Sequence, residues 1–412
     1  MERIHSTYLF RQDVNWDKMI FLSGPRQIGK TTFVKNYIET IQQGNLYYNW
    51  DDPFVRQHYQ QNPHFLKAAI AIQNSKPLIA FDEIHKHKNW KNILKGLYDI
   101  HNHEAQFIIT GSARLDYFRQ SGDSLVGRYF SFRMFPLGLS ESMGQMKNIV
   151  KDDLYFSGDV TNQFIANLHE MNMKENREAF ELLLRFSGFP EPFLKSTQHF
   201  SNKWRNDYKS LLISEDLRDI TQINDIKGVE QLMMLLPERI ASPLSINSVQ
   251  EDLQVTHKTV SRWIEALKKI YLLFSIMPWS KNIARAIKKE TKIYFFDWTH
   301  IADKGAMFEN MLAVSLMRLI CFWNEMGFAN FELCYIRNSQ KKEVDFLIVK
   351  DRKPYTLIEA KLSKTKPSKS GLYFQKMLNI PFFQIVADYN DVEVYPNQTY
   401  IIGAPLFFSI IG

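Results

Sequence analysis

The run Leu22-Ser23-Gly24-Pro25-Arg26-Gln27-Ile28-Gly29-Lys30-Thr31-Thr32 constrains this chain more than any other stretch. It satisfies G-x-x-x-x-G-K-[ST] at every fixed position. The apolar run Met19-Ile20-Phe21-Leu22 before it reads as a buried strand, and a helical stretch with Phe33, Val34, Tyr37, Ile38 and Ile41 follows. Strand, glycine-framed loop and helix together aim backbone amides and a helix N-terminus at a phosphate. Gly24, Pro25, Arg26, Gln27, Ile28, Gly29, Lys30, Thr31 and Thr32 are therefore the candidate nucleotide-binding residues. Lys30 would reach the β- and γ-phosphates, and the Thr31 hydroxyl would hold Mg²⁺.

A chain of 412 residues exceeds one ordinary core, so two or three domains are expected. No apolar run approaches the roughly 20 residues of a membrane span, and the N-terminus has no signal-peptide core. The two cysteines, Cys321 and Cys334, exclude a disulfide framework and a cysteine-rich zinc site. These features point to a cytoplasmic protein without a membrane partner. The net charge of +7 is unevenly spread: Lys341 to Lys376 holds ten Lys/Arg against four Asp/Glu. Concentrated positive charge is the footprint of a nucleic-acid partner, or else a solvated lysine-rich loop.

Beyond the loop, Asn45 to Asn49 reads as a strand, with Pro53 starting a helix. Leu78-Ile79-Ala80-Phe81 running into Asp82-Glu83 has the pattern of a buried parallel strand with acids at its C-terminal end, the end where such sheets bind ligands. Asp82 would complete the Mg²⁺ shell, and Glu83 would polarise the water attacking the γ-phosphate. A further strand from Gln106 brings Thr110 and Ser112 as phosphate-sensor candidates, with helix capping the alternative. Arg128, opening an alternating stretch to Phe135, is the Arg-finger candidate, with a structural salt bridge the other reading.

Gly24 to Thr31, Phe81-Asp82-Glu83-Ile84-His85, Thr110-Gly111-Ser112 and Gly127-Arg128 running on to Phe135-Pro136-Leu137 together resemble a family of prokaryotic AAA-type ATPases with a DUF4143 C-terminal region. The resemblance covers nearly the whole chain. It implies an ATPase core, a helical and DNA-binding-like segment, and a restriction-endonuclease-like end.

The middle of the chain is helix-rich, with a Gly188-Phe189-Pro190 turn and an amphipathic helix from Trp204 to Ile220. Ser245 to Leu253 reads as a short helix. Thr256 caps a second, Lys258 to Ile270, and Tyr271 to Ile276 reads as a strand. This is a winged helix-turn-helix pattern. Lys258 and Arg262 are then nucleic-acid contacts, unless the segment serves only as a packing lever.

In the last hundred residues, a helix from Met307 to Trp323 carries Glu309, and strands span Glu332 to Arg337, Glu343 to Val349 and Tyr355 to Lys361. Residues two apart on a strand share a face, so Glu359 and Lys361 project together and Asp345 on the next strand can meet them. Two carboxylates and a lysine form a Mg²⁺ site beside a cation, able to activate water and bear developing charge, unless they are only a salt-bridged sheet face. Asp345, Glu359 and Lys361 resemble the core of the PD-(D/E)xK nuclease superfamily. By that resemblance Glu309 is its helical acid and Gln375 its accessory glutamine. Val344 stands where many members have proline. Lys341, Lys342, Lys364 and Lys366 would guide a phosphate backbone to the metal.

The fold expected is α/β: a P-loop AAA-type parallel-sheet core (1–140), a helical connector (141–240), a winged-helix-like segment (241–298) and a restriction-endonuclease-like domain (299–412). The function expected is an ATPase using ATP and Mg²⁺, coupled to a nuclease-like domain acting on nucleic acid, DNA first. The alternative is an ATP-gated DNA- or protein-binding switch with an inactive nuclease fold. A homo-oligomer is left open, and a translocating motor is disfavoured for want of a pore-loop signature.

Overall fold

The computed structural model describes residues 2–9, 18–41, 46–62, 64–111, 125–145, 173–218, 223–280 and 290–412. They form two compact units, Glu2–Phe135 and Pro136–Gly412. The division falls a few residues before the expected boundary at 140.

The first unit is built on a parallel sheet of β1 (Met19–Ser23), β2 (Tyr47–Asn49), β3 (Leu78–Asp82), β4 (Gln106–Thr110) and β5 (Tyr129–Arg133), in the order β2-β3-β4-β1-β5. Every residue of β1 and β3 is buried, which explains their continuous apolar runs. Phe21, Phe81, Phe107 and Trp90 lie in one core between the sheet and the helix Trp90–His101. Because β4 lies between β1 and β3, the carboxyl ends of these strands meet at one edge of the sheet.

The second unit carries an eight-stranded mixed sheet in the order β12-β13-β11-β10-β9-β8-β6-β7. Its strands are β6 (Leu273–Pro278), β7 (Lys292–Phe295), β8 (Phe331–Arg337), β9 (Glu343–Lys350), β10 (Lys353–Ser363), β11 (Phe382–Asp388), β12 (Val392–Tyr395) and β13 (Thr399–Gly403). Two helices stand where the helix-turn-helix is expected: Ser245 caps Ile246–Leu253, and Thr256 caps His257–Lys269. Val260, Trp263, Ile264 and Leu267 turn inward from the second helix.

The expected boundary at 298 does not separate two bodies. β6 pairs with β7 and also, through Met277 and Pro278, with β8, so the wing hairpin is the edge of the larger sheet. The amphipathic helix of the connector begins earlier than expected, at Gln198, and changes from α to π geometry over Leu212–Leu217; the expected end at Ile220 lies outside the described residues. Lys304–Glu325 is long and apolar enough to cross a membrane by length and composition, which corrects the expectation that no apolar run approaches that length. Of its most apolar window, 67% is buried inside this unit, where the helix packs on β8 and β10.

Candidate functional site

In the first unit the phosphate-loop residues lie between the end of β1 and the helix Lys30–Ile41. Gly24 has φ +143°, and a Cβ there would come within 2.3 Å of the Met134 carbonyl oxygen, so only glycine fits. Gln27 and Gly29 also take positive φ, the backbone state from which anion-binding loops are built. Lys30 is buried, and its ammonium donates to the carbonyls of Gly24 at 2.9 Å and Pro25 at 2.6 Å.

Asp82 is the hub of this edge. Its Oδ2 accepts from the Thr31 hydroxyl at 2.6 Å and from the Tyr47 hydroxyl at 2.5 Å, and its Oδ1 accepts from Thr110 at 2.6 Å. Thr31, Asp82 and Thr110 thus come together as their sequence positions suggested. Their hydroxyl and carboxylate oxygens are the hard donors Mg²⁺ takes. Tyr47 has no motif to announce it; it reaches Asp82 because β2 lies beside β3, with Asn49 level with Asp82. Burial and the Asp82 carboxylate push the Tyr47 phenol well above its usual range.

Glu83 follows in a left-handed conformation with φ +57°. Its carboxylate meets Lys86 at 3.3 Å and His85 at 3.5 Å, and burial raises its pKa despite Lys86. Arg3 was another residue with no sequence signal: it donates to the carbonyls of Ile28, in the loop, and of Phe135.

Arg128 does not belong to this edge. β5 runs parallel to β1, with Met19 level with Tyr129 and Ser23 level with Arg133. Arg128 therefore sits at the amino end of the sheet, about 16 Å of strand from the phosphate loop at roughly 3.3 Å per residue. There it pairs with Asp99 through Nε at 2.7 Å. A cis role on the phosphate is set aside; the salt-bridge alternative describes it. Ser112 lies outside the described residues.

The second unit gathers Glu309, Asp345, Glu359 and Lys361 into one polar cluster on its sheet. Phe346 pairs with Ile358 across β9 and β10, and Asp345 lies just beyond that pair, where a bulge in β9 shifts its register with β8. The Asp345 Oδ2 accepts the Ala360 amide at 3.0 Å, which fixes the carboxylate against β10. The Glu359 Oε1 lies 2.7 Å from the Lys361 ammonium, and its Oε2 accepts the Ser368 hydroxyl. Burial raises the Glu359 pKa, against the pull of Lys361 and Ser368. Burial also works against the Lys361 ammonium, but Glu359 and Asp345 outweigh it and keep it charged. Two oxygen-donor carboxylates close together suit a hard cation such as Mg²⁺.

Sequence reasoning missed the other half of this cluster. Lys292, fully buried on β7, reaches Glu343 Oε1 at 2.8 Å, Glu309 Oε1 at 3.2 Å and Asp345 Oδ1 at 3.6 Å. The Tyr294 hydroxyl donates to the same Glu309 oxygen at 2.8 Å. Burial and the Asp345 carboxylate push Glu309 up to about 8, against the pull of Lys292. Burial disfavours the Lys292 ammonium, yet Glu309, Asp345 and Glu343 together hold its pKa above the ordinary value. The available signal was a lysine inside the otherwise apolar strand Lys292-Ile293-Tyr294-Phe295. Among the described residues, no three His, Cys, Asp or Glu side chains are placed as they stand to hold a metal ion.

The expected accessory glutamine is engaged elsewhere: Gln375 donates to the Asn397 carbonyl at 2.5 Å. Gln384 is the glutamine level with Glu359, and it accepts the Ser368 amide at 3.0 Å. The candidate nucleic-acid cations are on the surface. Lys258 and Arg262 lie on the exposed side of their helix, and Lys341 and Lys366 are also exposed. Lys342 stands over the Tyr373 ring at 4.0 Å, and Lys364 is paired with Glu393. Part of the positive charge read from composition is thus balanced locally.

Residues 17–143 match the family model of an AAA domain. This supports an AAA-type ATPase fold for the first unit. Residues 177–299 and 304–407 match two domains of unknown function, DUF8612 and DUF4143. An uncharacterized protein of Methanocaldococcus jannaschii is 25% identical over 414 residues, covering 93% of this chain and 83% of that one. An uncharacterized protein of Mycobacterium tuberculosis is 20% identical over 415 residues, covering 98% and 84%. The Aeropyrum pernix ORC1 protein, solved in complex with DNA, aligns at 14% identity over 73% of this chain and 86% of that one, with a TM-score of 0.25. AMPPCP-bound DnaA from Aquifex aeolicus aligns at 14% identity over 61% and 82%, also with a TM-score of 0.25. Superpositions this loose carry no argument about function.

Proposed function

We propose that the chain is a Mg²⁺-dependent ATPase whose nucleotide state governs a metal-dependent phosphodiester hydrolase in the second unit, acting on nucleic acid, DNA first. In the first unit, Lys30 and the loop amides would hold the phosphates, and Thr31 and Asp82 would hold the metal. Glu83 would take a proton from the attacking water, with its raised pKa making it a better base.

The observation that carries the nuclease reading is Asp345 bonded at 3.0 Å to the Ala360 amide, between Glu359 and Lys361, with the Lys361 ammonium 2.7 Å from Glu359. Asp345 and Glu359 would hold a divalent ion, which when bound supplies Lewis-acid activation of water and of the phosphodiester. The Ala360 amide and the Ser368 hydroxyl orient the two carboxylates. Lys361, kept charged by its neighbours, would stabilise negative charge developing on the phosphate. The exposed Lys341, Lys366, Lys258 and Arg262 would engage backbone phosphates.

The test is cleavage of circular and linear DNA with Mg²⁺ or Mn²⁺, with and without ATP. Glu359→Ala should abolish cleavage and leave ATP hydrolysis intact. Lys30→Ala should weaken ATP binding and change cleavage only where ATP matters. A second reading, an ATP-gated binding switch, is favoured by the ion pairing that already engages Glu359 and Asp345. Absence of cleavage with every metal, together with ATP-sensitive DNA binding, would establish that reading in place of the nuclease.

A further inference from the structure

A lysine whose side chain is wholly removed from solvent is rare and costly unless its charge is matched. Lys292 is such a residue, and its position is specific. It comes from edge strand β7, while its partners come from the helix Lys304–Glu325 and from β9. Glu343 and Asp345 stand two apart on β9 and so share a face. One oxygen each of Glu343, Glu309 and Asp345 lies 2.8, 3.2 and 3.6 Å from the ammonium. Carboxylate oxygens gathered round one point are the ligand chemistry of a hard divalent ion. Here they are spaced around an ammonium instead.

Asp345 is shared between two directions. Its Oδ1 faces Lys292, and its Oδ2 lies on the β10 side, where Glu359 and Lys361 are. A divalent ion approaching from the Glu309–Glu343 side would need the oxygens that Lys292 already engages. Two-metal hydrolases place a second ion a few ångströms from the first and use it to neutralise the same phosphate.

We propose that Lys292 is a resident cation, its ammonium occupying the seat of a second divalent ion beside Asp345, so that the cluster admits one exchangeable metal. The single-metal count rests on the reading of Asp345 and Glu359 as metal ligands; the filled seat does not.

The experiment is Mn²⁺ binding to the nucleotide-free full chain, by titration calorimetry and by the electron paramagnetic resonance of free Mn²⁺. Asp82→Asn is kept as the background so that the phosphate-loop edge contributes nothing. The expected result is one Mn²⁺ per chain, lost in Glu359→Gln, rising to two in Lys292→Met. The added ion should vanish when Glu343→Gln is combined with Lys292→Met. If the starting chain binds none and Lys292→Met binds one, the seat stands and the nuclease metal site fails. If Lys292→Met binds no more than its parent, or the parent already binds two ions lost with Glu359→Gln and Glu343→Gln, the inference is overturned.

Lys292→Met leaves carboxylates uncompensated, so Lys292→Met/Glu309→Gln is prepared alongside it. Either variant folding only in Mn²⁺ supports the seat. Both staying unfolded in Mn²⁺ counts against it, because an ion there would restore the missing charge.

Discussion

Replacing Glu309 by glutamine should flatten the dependence of folding stability on pH. Glu309 is buried beside Asp345, and its pKa is pushed up to about 8 from an ordinary 4.5. Between those values the folded chain keeps a proton that the unfolded chain has released. Stability falls with rising pH wherever the folded state binds more protons, by about 1.4 kcal/mol per pH unit for one proton. The contribution is therefore fully present below about pH 4.5 and lost progressively up to about pH 8, a few kcal/mol in all. Glutamine keeps the shape and removes the titration. Denaturant unfolding of both chains from pH 5 to 9, in EDTA to exclude metal, gives the difference between them. Shifts at His300, Glu83 and Glu359 occur in both chains and cancel. The wild-type protein should lose stability relative to Glu309→Gln across this range and level off near pH 8. Parallel curves would show that Glu309 is ionised throughout and refute the reasoning.

Tyr47→Phe removes one donor to Asp82 and should lower kcat for ATP hydrolysis about tenfold, equivalent to about 1.4 kcal/mol, with the ATP dissociation constant little changed. Steady-state hydrolysis alongside nucleotide titration separates the two quantities. Gly24→Ala should abolish ATP binding and lower the melting temperature, because its Cβ would meet the Met134 carbonyl oxygen at 2.3 Å. Arg128→Ala should leave ATP hydrolysis within twofold of wild type; a tenfold loss would instead reveal Arg128 acting on a neighbouring subunit's nucleotide.

What could be read from sequence was what a short window encodes. The phosphate loop is such a pattern, and so is an apolar run ending in Asp82-Glu83. Glu359 and Lys361 share a face by the two-residue period alone, and Asp345 needed only one hairpin to reach them. Tyr47, Lys292 and Arg128 were opaque for a common reason. Tyr47 meets Asp82 only because β2 lies beside β3. Arg128 is excluded from the phosphate edge by the polarity of β5, which alternation cannot show. Lys292 was read as part of a wing, and its role appears only when β6 joins β8 and brings β7 beside the helix that carries Glu309. Composition likewise counted Lys364 as free charge, whereas the structure pairs it with Glu393.

The wing hairpin has a consequence for how such chains can be recombined. One family model ends at residue 299 and the next begins at 304, which makes that junction an inviting crossover point for exchanging modules between relatives. A crossover there would take Lys292 from one parent and Glu309, Glu343 and Asp345 from another. Each parent's charges could be balanced while the hybrid's were not, leaving a buried cation or buried carboxylates unmatched. A block from β7 to the end of β9, residues 292–350, carries Lys292 and all three carboxylate partners together. Substitutions at Lys292 are expected to be inherited together with changes at its three carboxylate partners across the family boundary.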